Sequence, residues 1–291
     1  MTLAELIERT AARFAAANLH YGHGTDTPAD EAAWLIKRGL GLPFDVDLAQ
    51  AVNPARVAPL VERRISERVP VAYLLREAWL AGQSFYVDER VIVPRSHIAQ
   101  LLSQLRRRAP RRVLDLCTGS GCLAILAARA FPAAQVDAVD LSPPALAVAR
   151  KNVARHRLGR RVHLRRSDLF QALANARYDL ILTNPPYVSA TAMGELPAEY
   201  RHEPRLALAG GTDGLDLVAR ILAQAPEYLA AGGLLVCEVG DGRAAVQRRF
   251  HAFNLDWPKP EVFSASREAL SRAASKAASA RAAASSSRAR R

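Results

Sequence analysis

Val113-Leu114-Asp115-Leu116-Cys117-Thr118-Gly119-Ser120-Gly121-Cys122 is the stretch from which the fold can be read. An apolar strand runs into a turn with two glycines, and a helix follows from about Cys122 to Ala130. Gly119 and Gly121 permit a tight turn and a close approach of backbone to a ligand. The helix start adds N–H donors that have no partner inside the helix. Asp115 is an acid within an apolar strand, where an unpartnered carboxylate is costly to bury. It therefore needs donors, from loop amides or from a cationic ligand.

Outward from this turn, strands and helices alternate. Val136–Asp140, Val162–Leu164, Tyr178–Leu182 and Leu234–Val239 read as further strands. Helices are expected from Ser142-Pro143 to near Leu158 and from about Leu215 to Leu229. This rhythm predicts an α/β, Rossmann-like, doubly wound sheet with helices on both faces. The glycine turn also fits a dinucleotide pattern, with Asp140 about 20 residues further on. Alone, it suits a nicotinamide cofactor, adenosylmethionine or no ligand. Asp140, ending the second strand, can accept hydrogen bonds from both ribose hydroxyls of an adenosine. Asp168, after the third strand, could reach an adenine amine, with Leu169 lining the ring.

Thr183-Asn184-Pro185-Pro186-Tyr187 directly follows the fourth strand, and strand ends on such a sheet face the ligand crevice. Two prolines stiffen the turn and remove N–H donors. The Asn184 amide oxygen and the Pro185 carbonyl can then each accept one hydrogen from a planar –NH2 group, with Tyr187 as an aromatic face against it. That grip aims a nitrogen at an electrophilic methyl, so the candidate catalytic residues are Asn184, Pro185 and Tyr187, and Pro186 joins them as a substrate contact.

Residues 1–75 read as a helical, substrate-recognising domain. Thr27-Pro28 starts one helix, and Gly39, Gly41 and Pro43 close it. Residues 76–96 read as a linking β-hairpin, with Gln83–Val87 and Val91–Pro94 flanking Asp88-Glu89-Arg90. The catalytic domain is expected over 97–266 and a disordered basic tail over 267–291, where Ser, Ala and Arg dominate. The chain carries a net charge of +12, with lysine only at Lys37, Lys151, Lys259 and Lys276. Six basic residues and no acid lie between Ser271 and Arg291. The excess suggests a polyanionic neighbourhood and a weak RNA contact through the tail. Cys117, Cys122 and Cys237 lack zinc-like pairing and read as small buried hydrophobes, and no metal site is expected. No run approaches the roughly 20 apolar residues of a membrane span. A cytoplasmic protein without membrane contact is the expectation.

These motifs resemble the S-adenosylmethionine-dependent methyltransferases of class I. The Asn-Pro-Pro-Tyr form is similar to enzymes that methylate planar nitrogens in DNA, ribosomal RNA and proteins. Glu203–Leu208 followed by Gly210–Asp216 resembles the protein-(glutamine-N5) methyltransferases, as do the helical domain with its hairpin and the lack of a sizeable base-reading domain. The resemblance spans residues 1 to about 270. It implies S-adenosyl-L-methionine bound by Asp115, Cys117, Thr118, Gly119, Gly121, Asp140, Leu141, Asp168, Leu169 and Asn184. Within the family, Tyr21–Asp26, Glu89–Ser96 and Leu255–Pro258 are more similar to members acting on ribosomal protein uL3, free or in an assembling large subunit, than to those acting on the Gly-Gly-Gln motif of peptide-chain release factors. His97 and Gln100 depart from the family pattern, which has proline and glutamate there. Two alternatives stay open: methylation of a nucleic-acid base and a non-enzymatic adaptor.

Overall fold

The computed structural model describes residues 1–273 and Ser275. The chain forms two compact units: Met1–Arg95 with Leu196–Arg205, and Ser96–Glu195 with the chain from Leu206 onward.

The first unit holds helices α1 (Leu3–Ala16), α2 (Pro28–Gly39), α3 (Ala58–Ser66) and α4 (Val71–Leu75), then strands β1 (Ala78–Leu80) and β2 (Gln83–Phe85). Thr2 and Glu5 form a capping box at α1, and the Thr27 hydroxyl caps α2 ahead of Pro28. Leu3, Phe14, Leu35 and Ile36 are fully buried in this unit.

The hairpin lies earlier than the sequence predicts. Ala78 pairs with Phe85 and Leu80 with Gln83. The turn is Ala81-Gly82, with φ of 48° and 72°, the two-residue geometry that follows strand twist. The expected second strand, Val91–Pro94, does not pair. The Val93 N–H donates to Glu203 Oε1 (2.9 Å) instead, and Asp88 gathers Arg90 and the Tyr86 hydroxyl into a side-chain-centred turn.

Residues 196–205 also belong to this unit, which the sequence did not foretell. Two buried glutamates explain it. Arg64, 1 % exposed, donates to Glu31 Oε1 (2.6 Å), Glu199 Oε1 (3.0 Å) and the His20 carbonyl (2.8 Å). Glu203 accepts from Arg95 through both carboxylate oxygens. Such pairs contribute modest net stability but are expensive to break singly, because the surviving charge stays buried.

The second unit holds α5 (Ile98–Leu105), β3 (Arg112–Leu116), α6 (Cys122–Ala130), β4 (Gln135–Asp140), α7 (Pro143–Arg155), β5 (Val162–Arg166), β6 (Tyr178–Thr183), α8 (Ala190–Glu195), α9 (Asp216–Tyr228), β7 (Leu229–Glu238), α10 (Arg243–Arg249), β8 (Asp256–Lys259) and β9 (Val262–Ser266). The strand order is β5-β4-β3-β6-β7-β9-β8. The first five strands are parallel, and β9 runs antiparallel to both β7 and β8. This is the expected doubly wound, class I methyltransferase sheet, closed by a hairpin the sequence did not reveal. Leu114, Leu116, Ile181, Leu235 and Phe263 are fully buried in its core.

The expected disordered tail starts too early. Residues 267–273 are helical, and Leu270 is fully buried in the same core. Leu270 and Ala273 supply apolar burial that the Ser/Ala/Arg composition does not announce. Residue 274 and residues 276–291, with the expected RNA contact of the tail, lie outside the described residues.

Candidate active site

The sheet order reverses at β3, whose neighbours are β4 and β6. Ligands of such sheets bind at the carboxyl ends of strands beside this switch point. The register makes the neighbourhood concrete: Leu116 pairs with Val139 on one side and Thr183 on the other, and Asp140 pairs with Arg166. The residues that follow these strands thus share one edge. Its span from β5 to β6 is about 14 Å at ordinary strand spacing, room for an extended nucleoside with an amino-acid arm.

At the centre, Asp115 is 1 % exposed. Its Oδ2 accepts from the Thr118 hydroxyl (2.6 Å) and the Ala124 N–H (3.0 Å). The loop and the helix start therefore supply the donors it was expected to need. Burial nonetheless pushes its pKa up to about 7, and the Asp140 charge adds to the rise. Asp140 accepts from Gly119 N–H (2.9 Å) at one oxygen and from Ser142 N–H (2.8 Å) at the other. Burial raises its pKa, while these amides oppose the rise. Two oxygens already aimed by backbone amides suit a pair of vicinal hydroxyls.

The two loop glycines serve different ends. A side chain at Gly121 (φ 80°) would meet Ala149 Cβ at 3.1 Å, so this residue lets α6 pack on α7. A side chain at Gly119 (φ 54°) would meet nothing within 4 Å and would project into open space at the site. Asn152, fully buried on α7, donates to the Ser120 carbonyl (2.9 Å) and pins the loop from below. Cys117 itself has a positive φ of 58°. Only Cys237 is fully buried as expected; Cys117 and Cys122 are half-buried, though desolvation raises both loop thiols, Cys122 to about 12.

Further along the edge, Leu141 is an exposed apolar side chain immediately after Asp140. Asp168 Oδ2 pairs with Arg220 (2.8 Å), a partner the sequence did not suggest. Both groups are partly exposed, so the pair is weakly held and open to exchange with a ligand. Leu169, expected to line an adenine ring, packs into the hydrophobic core at 4 % exposure.

Beyond β6, Asn184 Oδ1 is buried and accepts no hydrogen bond. An unmet buried acceptor costs about 1–3 kcal/mol, and native proteins keep few of them. Pro185 and Pro186, next in the chain, are buried. The segment that follows is held by a short ladder. Val188 N–H donates to the Leu208 carbonyl, Gly210 N–H to the Val188 carbonyl and Ala190 N–H to the Gly211 carbonyl, at 2.8–3.0 Å.

Glycines make that ladder possible. A Cβ at Gly210 would fall 2.8 Å from both the Pro186 oxygen and Tyr187 Cα, and one at Gly214 would fall 2.3 Å from the Tyr187 oxygen. A Cβ at Gly240, just past β7, would fall 2.7 Å from Tyr187 Cε2. Gly210 and Gly214 lie in the stretch that resembles the family motif, and their packing against residues 186 and 187 gives them a structural role. Gly240 and Asn152 were missed, although a glycine just past a strand end is a sequence signal of close approach. Glu238, also missed, is buried at the end of β7, where its Oε2 accepts from the Ser96 hydroxyl and the His97 N–H.

The family model for the methyltransferase small domain matches residues 97–198. The chain is 53 % identical over 268 residues to a ribosomal protein uL3 glutamine methyltransferase of Bordetella pertussis, covering 88 % of this chain and 90 % of the relative. Proteins of the same name from Burkholderia pseudomallei and Bradyrhizobium diazoefficiens are 50 % and 48 % identical, over 88 % of this chain and 90 % and 86 % of theirs. With such identity across nearly the full length of both partners, the chain belongs to the ribosomal protein uL3 glutamine methyltransferase family.

Proposed function

We propose that this protein methylates the side-chain amide nitrogen of a glutamine in ribosomal protein uL3, with S-adenosyl-L-methionine as the methyl donor. The observation that carries the chemistry is the buried, unpartnered Asn184 Oδ1 beside the strand edge. The relatives' shared name supports the choice of substrate over release factors or a nucleic-acid base.

The residues present fit the donor. Open space above Gly119, the two oriented oxygens of Asp140 and the exposed Leu141 suit a nucleoside. The acids Asp115, Asp140 and Asp168 along the edge suit a cation. When bound, S-adenosylmethionine supplies an electrophilic methyl group on a positively charged sulfur.

The protein's own part is to position the nucleophile. Asn184 Oδ1 and the Pro185 carbonyl each accept one hydrogen of the glutamine –NH2, which fixes the plane of the group and drains no electron density from nitrogen. Tyr187 offers its ring to the flat amide. An amide nitrogen is a weak nucleophile, so orientation and fixed dipoles supply most of the acceleration. The direct test incubates purified uL3, release factor and ribosomal RNA separately with labelled S-adenosylmethionine. Mass spectrometry should then place one methyl increment on a uL3 glutamine. Label confined to the release factor or to nuclease-sensitive material would refute the substrate.

A further inference from the structure

The edge of the large sheet opposite the candidate site is rich in arginine. Acids Asp115, Asp140, Asp168 and Glu238 lie on or just past the strands where the candidate site is. At the opposite edge, where the parallel strands begin, a short turn Arg106–Arg108 leads through Arg111 and Arg112 into β3, and Arg177 directly precedes β6. Strands β3 and β6 are paired, Val113 with Leu180, so these starts are neighbours. All six arginines are exposed. Among the described residues, the only ion pair made by any of them is Arg112 with Asp137, at 3.6 Å.

The group is partly pre-positioned. Arg112 lies over the Tyr178 ring (5.4 Å), and Arg108 donates to the Gly232 carbonyl (2.6 Å). Between Arg108 and Arg111 the surface sinks into an open hollow of about 470 Å³, which Asp179 and Ala231–Gly233 complete. Asp179 is the one acid lining it, and its Oδ2 is already engaged by the N–H groups of Arg111 and Arg112. So many like charges within a few residues repel one another unless a polyanion lies against them. Guanidinium forks match phosphate oxygens in pairs.

We propose that this arginine edge is a docking surface for the phosphate backbone of RNA, separate from the site of methyl transfer. The length of β3, five residues, separates the two by roughly 16 Å of strand. The enzyme can thus hold an RNA-bearing particle while its other edge works on a protein side chain. The ribosomal setting of the proposed substrate selects RNA among polyanions; the surface itself does not depend on the methylation chemistry.

The test titrates the full chain against a labelled ribosomal-RNA hairpin at several salt concentrations, beside an Arg106→Glu/Arg107→Glu/Arg111→Glu variant. Wild-type affinity should fall steeply with salt. The variant should bind at least about tenfold more weakly, with a log–log salt slope shallower by about two to three. Its melting curve and its methylation of isolated uL3 should be unchanged. The proposal is overturned if the variant binds RNA like wild type. It is equally overturned if only replacing Arg281, Arg288, Arg290 and Arg291 abolishes binding, or if polyglutamate of equal charge competes as well as RNA, which would make the partner an acidic protein. RNA binding that is lost with the edge variant, in a chain that leaves uL3 unmethylated, would support the docking edge and refute the substrate assignment.

Discussion

Asp115→Asn should make the free protein more stable at alkaline pH while weakening its hold on the cofactor. The folded Asp115 carboxyl has its pKa pushed from 3.8 to about 7 by burial. The folded state therefore binds this proton more tightly than the unfolded chain. Its stabilising effect is complete below the unfolded value and is lost as pH rises through the folded one, so stability should fall between about pH 4 and about pH 8. From about pH 5.5 to about pH 8.5 the loss from this group is about 2 kcal/mol. In a unit of this size that corresponds to roughly 4–8 °C in Tm. An asparagine there cannot ionise, and its side-chain oxygen can still accept from Thr118 and the Ala124 N–H. Thermal melts of both proteins across this range provide the assay, and the difference between the two Tm profiles cancels every other titrating group. S-adenosylmethionine should raise the Tm of the wild type increasingly as pH rises, and that of the variant little. Parallel Tm profiles would show that the buried carboxyl does not titrate in this window and would refute the argument.

Other substitutions probe the remaining parts. Asn184→Ala should lower kcat by at least about 100-fold, the scale for a lost positioning acceptor, with cofactor affinity by calorimetry nearly unchanged; normal turnover would remove its assigned role. Gly240→Ala places a Cβ 2.7 Å from the Tyr187 ring at a backbone φ of 52°, so the displaced ring should cost about tenfold or more in kcat and the strained alanine should lower Tm as well. Glu199→Ala leaves Arg64 buried with one carboxylate partner instead of two, and denaturant unfolding should show a loss of about 3–5 kcal/mol. Alkylation of the half-buried Cys122, its thiol pushed up to about 12 by desolvation, should be slow at neutral pH until denaturant is added; rapid labelling of the native protein would refute the raised pKa.

The alternation of apolar strands with helices is local, and it was legible: β3 to β6 contain the stretches that composition and periodicity pick out, and β7 contains all of Leu234–Val239 except Val239. The hairpin of β8 and β9 was not. Pro258 and the shortness of Asp256–Lys259 argue against a strand, yet at the sheet's edge a proline is tolerated because one side of the strand needs no donors. The displaced first hairpin has a similar origin. Val91 to Val93 has strand composition, but its partner is a glutamate 110 residues further along the chain, and no local pattern records that.

What the sequence by itself determined is the order of the candidate site: acid, glycine turn, acid, acid and Asn-Pro-Pro-Tyr, each within or shortly after a strand. Chain direction alone sends such residues to the same edge of a parallel sheet. What only the tertiary structure decided is the state of each group. Two hydrogen bonds on one oxygen leave Asp115 still hard to ionise, Arg220 sits on Asp168, Leu169 turns inward, and Gly210, Gly214 and Gly240 clasp Tyr187. These depend on burial and on partners far away in sequence. Side-chain periodicity reports which face is apolar, but not which distant atom will fill a hydrogen bond or how much water remains.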